Sequence, residues 1–146
     1  MMINSFHPGL LMILIGALIL VLPDRFKKPC SIVAAASGIL GLFTLNSSSH
    51  LVYQITSDIK LQMIHIDRLS MIFVIIFSII MVINSIYSFD IQDKWEKGVS
   101  VIYGGSIIAA TLAGDIITMI VFWEVAAFSA AYLIYAKHTR RSSRSA

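Results

Sequence analysis

Charge is what this sequence has least of. Asp, Glu, Lys and Arg together make up 13% of the residues, where a soluble domain carries about a quarter. Apolar residues reach 58% and the mean hydropathy is +0.85, so the solvent for most of the chain is lipid and water-soluble classes are excluded. Cysteine occurs once, at Cys30, which excludes an internal disulfide and a thiolate metal cluster and leaves the redox compartment open. No Lys or Arg precedes the first apolar run, and Pro23-Asp24-Arg25 stands where a cleaved signal peptide would carry small residues. The first run therefore reads as a retained helix. The sequence also contains no Gly-rich phosphate loop, no nucleophile with a base at usable spacing and no cofactor motif, so neither a cofactor nor a metal is expected. The net charge of +3 is spread over loops and the C-terminal tail without interleaved aromatics, which argues against nucleic acid as a partner.

What remains is a series of long apolar runs separated by short polar breaks. They predict an all-α integral membrane protein with about five transmembrane helices, over residues 3–22, 30–46, 69–89, 98–113 and 116–136. The last two come from one stretch, Gly98 to Ala136, which as a single helix would reach about 58 Å, roughly twice a hydrocarbon core. It must turn back, and Gly114-Asp115 is the break near its middle. Leu51-Val52-Tyr53 and Leu61-Gln62-Met63-Ile64, in the longest polar connection, suit short strands or interfacial turns. Small residues four apart (Gly105, Ala109 and Ala113; Ala34 and Gly38; Ala126 and Ala130, or Ala127 and Ala131) are spaced for close helix packing. Trp95, Tyr132 and Tyr135 suit the membrane interface.

Positive charges set the expected orientation. Arg25, Lys27, Lys28, Lys94, Lys97, Lys137, Arg140, Arg141 and Arg144 fall on one side of a five-helix path, and only Lys60 and Arg68 on the other. The richer side is cytoplasmic by the positive-inside rule, which places the N-terminus outside and the C-terminus in the cytoplasm. The expected location is the cell inner (plasma) membrane.

Glu124 is the candidate of most weight. It sits in Phe122-Trp123-Glu124-Val125, inside the fifth apolar run, where an acid costs about 2.5–3.5 kcal/mol and normally faces a bundle interior or a water cavity on an ion or proton path. A buried hydrogen bond to a neighbouring helix is the structural alternative. No Lys or Arg lies within the five helices to pair with it, so either the acid is neutral or its partner lies outside this sequence. Asp115 and Asp67 are weaker candidates for the same path, because each stands where it would cap the following helix. His50 and His65 lack a third ligand for a metal, and His7 and His138, near the ends, read as solvated. Asn46-Ser47-Ser48 matches a glycosylation acceptor too close to the membrane for use.

Two segments carry a family likeness. Asp67-Arg68-Leu69-Ser70-Met71-Ile72-Phe73, continuing to Tyr87-Ser88, resembles the D-x-L-S-x-x-F…Y-S helix of the antiporter-like subunits found in respiratory complex I and in multisubunit sodium/proton antiporters. Gly114-Asp115 followed by Trp123-Glu124 resembles that family's G-D…W-E signature, and Leu133-Ile134 continues it. From the first motif to the end of the second, residues 67–134 span about half the chain. The resemblance implies that Glu124 carries protons, with a lysine on a later helix setting its affinity, and that the whole subunit has roughly fourteen helices in inverted repeats. On that likeness, residues 1–97 form three leading helices, and residues 98–146 form the first two helices of a transport domain that is expected to be truncated. The implied function is a fragment of a proton-conducting subunit of a monovalent cation/proton antiporter, inactive alone. The expected partners are the lipid bilayer, other subunits of a membrane complex, and a missing C-terminal part of the same subunit. A membrane-arm subunit of an NADH:quinone oxidoreductase and a non-transporting small membrane protein are the alternatives.

The orientation has a direct test. A topology reporter fused after Ala146 is expected to be active only in the cytoplasm and one inserted at Ser48 only outside; the opposite result at either position would break the five-helix count.

Overall fold

In the computed structural model the chain forms five helices and one hairpin, described over residues 7–23, 27–44, 51–54, 60–88 and 93–144. The helices are α1 (Pro8–Val21), α2 (Lys27–Thr44), α3 (Arg68–Tyr87), α4 (Lys94–Leu112) and α5 (Ile116–Arg144). The strands β1 (Leu51–Gln54) and β2 (Lys60–Ile64) pair antiparallel between α2 and α3. Five helices stand where five were expected, and the two short strands lie in the predicted segments. Two of the helices, Arg68–Tyr87 and the Ile116–Lys137 part of α5, are long and apolar enough to cross a membrane; Pro8–Val21 and Pro29–Gly41 are shorter apolar helices. Residues 3–6, Arg25, Asn46-Ser47-Ser48 and His50 lie outside the described residues.

Helix ends follow local chemistry. α1 begins with Pro8 in its first turn, where a missing N–H costs nothing, and the His7 side chain accepts from the Leu10 N–H at 3.3 Å. α1 stops at an extended Leu22, which Pro23 favours. Asp67 caps α3 through the Ser70 N–H at 2.6 Å, and Asp93 caps α4 through the Trp95 N–H at 2.9 Å. The second cap explains a difference from the sequence expectation. α4 starts at Lys94 rather than near Gly98, because Asp93 allows a charged turn, Lys94-Trp95-Glu96-Lys97, to join the helix. α2 likewise opens earlier, at Lys27, and α5 runs on through the basic tail to Arg144. Charged residues at the edge of an apolar run suggest a loop, yet a helix continues wherever its backbone hydrogen bonds do.

α4 is the hub. It packs most extensively against α1, then α5, and also touches α2, α3 and β2. The α1–α4 contact is backbone to backbone. A Cβ on Gly9 would lie 2.6 Å from the Ala109 nitrogen and from the Gly105 oxygen, and one on Gly105 would lie 2.9 Å from the Gly9 oxygen. A turn or two further along, Gly16 meets the Gly98 oxygen at 2.9 Å in the same way. Glycine recurs at seven-residue spacing on both helices, so one face of each is stripped of side chains along two turns. Around this contact Met12, Ile64, Ile66, Val74, Met81, Ile108 and Leu112 form the main apolar cluster, and Ile19, Ala34 and Val101 form a smaller one. Polar ties join the helices away from it: Asn84 Nδ2 donates to Ser100 Oγ at 2.7 Å between α3 and α4, and Ser85 Oγ donates to the Ser31 carbonyl at 3.3 Å between α3 and α2.

Gly105→Leu is expected to force α1 off α4 and cost about 1–3 kcal/mol or more, as overpacking does. Gly38→Ala, whose added carbon would make ordinary contacts with Met12 Sδ at 3.4 Å, Ser78 Oγ at 3.5 Å and Ile108 Cδ1 at 3.9 Å, should be close to neutral. Thermal unfolding of the two variants in the same detergent checks the order.

Candidate functional site

The candidate residues Asp115 and Asp67 lie at the hairpin end of the molecule, and Glu124 lies further along α5. α4 ends at an extended Ala113, and the next two residues make the turn into α5. That turn is fastened to β2 by main-chain bonds. The Gly114 N–H donates to the Gln62 carbonyl at 2.8 Å, and the His65 N–H donates to the Leu112 carbonyl at 2.8 Å. The strand approaches so closely that a Cβ on Gly114 would stand 2.6 Å from Gln62 Cγ and 2.8 Å from His65 Cβ. Glycine is required here by contact, since its φ is negative.

Asp115 completes the joint. One carboxylate oxygen accepts from the Thr118 N–H at 2.8 Å, capping α5. The other accepts from the Thr118 hydroxyl at 2.6 Å and from the Gln62 N–H at 2.7 Å. Gln62 thus gives its N–H to the residue after Gly114 and takes the N–H of Gly114 itself. Partial burial pushes the Asp115 carboxyl up, but the bonds from Thr118 and Gln62 outweigh it and hold the group below the ordinary 3.8. Asp67 is held below the same value, chiefly by the Ser70 N–H and hydroxyl, and remains exposed at the head of α3. Both carboxylates are thus engaged as helix caps, and Asp115 also as a tether. His65 is exposed beside them, its Nδ1 3.3 Å from Gln62 Nε2. Among the described residues no group of three or more His, Cys, Asp or Glu could hold a metal ion.

His7 corrects the sequence expectation. A position near the chain start suggests a solvated side chain, but His7 is buried to 5% exposure. Its Nε2 lies 3.2 Å from the Met63 carbonyl and its ring sits 5.9 Å from the Phe122 ring of α5. The usable signal was His7-Pro8 as a cap and first-turn pair. The contacts to β2 and α5 had no sequence signal.

Glu124 also departs from expectation. An acid in a membrane helix is expected to face a bundle interior or a water cavity, and within this chain Glu124 is exposed. α5 meets the rest of the chain through Thr118, Phe122 and Ser129, which are buried, whereas Ile120, Glu124, Ala127 and Phe128 lie on the uncovered side. Along the helix Glu124 is nine residues beyond Asp115, about 13 Å by the α-helical rise. Among the described residues its carboxyl has no hydrogen bond and no ion pair. The reason lies in α5 itself, which is apolar almost all round and has no stripe to dictate which side packs. α5 leaves an apolar groove of about 510 Å³ against α3 and α4, lined by Phe77, Tyr103, Ile107, Trp123 and the alanines at 110, 126, 127 and 130. The small residues of α4 and α2 are spent on internal packing, while those of α5 line this opening.

Asp115→Ala removes the α5 cap and the tether to β2 together and is expected to lower stability by about 1–2 kcal/mol. Asp115→Asn, which keeps one acceptor oxygen, should lose less. Because the carboxyl is held below 3.8, its contribution is complete above that pH and is lost as pH falls through the folded-state value. The difference between Asp115→Ala and the parent should therefore shrink in acid, which unfolding at about pH 7 and about pH 3 checks.

Compared with family models, curated proteins and solved structures, the chain has no significant match, so its function rests on the residues described above.

Proposed function

We propose that this chain is the leading part of a proton-conducting subunit of a multisubunit monovalent cation/proton antiporter. It would be seated in the cell inner (plasma) membrane with its N-terminus outside and its C-terminus in the cytoplasm. The observation that carries this is Glu124, an acid within a helix long enough to span a membrane and exposed among the described residues. An acid facing hydrocarbon costs about 2.5–3.5 kcal/mol, and a sequence bears that cost where the acid meets a partner or a water path. The partner is then outside these five helices, in further helices of the subunit or in a neighbouring one. The G-D…W-E spacing that ends at Glu124, with the D-x-L-S-x-x-F helix upstream, supports the same assignment.

In this scheme Glu124 takes up and releases the proton. Asp115 and Asp67 hold the helix ends and the hairpin, and they conduct nothing. Among the described residues no cation is bonded to Glu124, so in this scheme the isolated chain is not a complete path. A membrane-arm subunit of an NADH:quinone oxidoreductase uses the same motifs, and the companion subunits that copurify with the chain distinguish the two.

Reconstituted alone, the 146 residues are expected to give no proton or sodium flux. In a complete assembly Glu124→Gln, which keeps size and hydrogen-bonding capacity but loses the exchangeable proton, should abolish transport or reduce it sharply at unchanged protein level. Glu124→Asp should retain part of it, and Asp67→Asn and Asp115→Asn should be milder. Proton-coupled cation flux normalised to protein abundance orders the set, and parental transport by Glu124→Gln would defeat the proposal.

A further inference from the structure

One titratable side chain is buried where three elements meet and plays no part in the scheme above. His7 precedes α1, touches β2 through Met63 and touches α5 through Phe122. Its two nitrogens are committed to opposite roles. Nδ1 faces the Leu10 N–H at 3.3 Å and can only accept there, which assigns the proton to Nε2 as donor to the Met63 carbonyl at 3.2 Å. Only the neutral Nε2–H form satisfies both bonds.

We propose that His7 is a pH-sensitive latch: neutral, it holds the hairpin against the start of α1 and against α5, and on proton uptake it lets go. The incoming proton, taken from water, must go to Nδ1. There it points at the Leu10 N–H, so an acceptor becomes a donor facing a donor and the α1 cap is lost. The new cation also stands at the positive end of the α1 dipole. Burial opposes it further, and burial is the chief reason that the imidazole is held below its ordinary 6.5, against the raising effect of the Met63 carbonyl. All these effects favour the undocked state once the ring is charged.

The surroundings offer little to offset this. α1 carries no charged residue, and α4 between Gly98 and Leu112 carries only Tyr103, which lines the groove toward α3 and α5. On α5 the acids are Asp115, already engaged by Thr118 and Gln62, and Glu124, on the uncovered side. β2 opens with Lys60 and is followed by His65 and Asp67, both exposed. Among the described residues none of these carboxylates bonds to the His7 ring. The sign follows: the docked hairpin binds fewer protons at His7 than the released one, so docking is strongest above about pH 6.5 and weakens as pH falls below it. Met63 is next to Gln62, and release would therefore loosen the Gly114-Asp115 joint as well. The proposal does not depend on the transport function of Glu124.

The test is amide hydrogen exchange on the full chain in lipid nanodiscs, with rates corrected for intrinsic exchange at each pH. The reporters are the amides of Gly114 and His65, whose bonds to Gln62 and Leu112 exist only while the hairpin is docked. Their protection is expected to fall about fivefold or more between about pH 8 and about pH 5. His7→Asn keeps a side-chain cap without a titrating ring and should make protection independent of pH, whereas His65→Asn should leave the dependence in place. The carboxyls of Asp67 and Asp115, held below 3.8, stay ionised across this range. Should His7→Asn not fold, the ¹⁵N shifts of the wild-type imidazole decide: the ring must be the neutral Nε2–H form at about pH 8 and must titrate together with loss of protection. Constant protection in the parent, a pH dependence that survives His7→Asn, or one that follows His65 instead would overturn the latch.

Discussion

Where α1 crosses α4, Gly9 and Gly105 bring the two backbones so close that one added carbon on either would lie within 2.6–2.9 Å of main-chain atoms of the other. In lipid there is little hydrophobic force between apolar helices, so association depends on such contact and on the polar bonds that it permits. The crossing fixes the start of α1 and, through α4, the turn at Gly114. The hairpin is held by those two anchors, with His7 on one side and Gly114-Asp115 on the other. Loss of the crossing would therefore loosen the hairpin without altering any titratable group.

The hairpin end is a polar joint between helices, built from main-chain hydrogen bonds with two side chains added. Asp115 serves α5 and β2 at once, so a helix cap that local sequence explains becomes a tertiary contact. His7 does the same for α1 and β2. Such double use is economical, and it couples the helix ends to the ionisation of the groups that cap them.

α5 has the opposite character. One side packs on α4 through Thr118, Phe122 and Ser129, and the other presents Ile120, Glu124 and Phe128 to whatever surrounds the chain. The groove beside it is floored with alanine, the residue type that admits another backbone at close range.

Local chemistry was enough to place the five helices, the two strands and the caps at Asp67 and Asp115, because periodicity, chain breaks and capping act over a few residues. The helix starts at Lys27 and Lys94 differ from that reading for the same local reason, since charge suggests a helix end where backbone bonding continues the helix. The side of α5 that packs, the burial of His7 and the docking of β2 on Gly114 were not legible. An all-round apolar helix has no preferred face, and a histidine near the chain start looks the same whether solvent or Met63 receives its proton. Those outcomes belong to the tertiary structure, because they depend on which backbones can approach, and that was settled between glycines on α1 and α4 far away in the sequence.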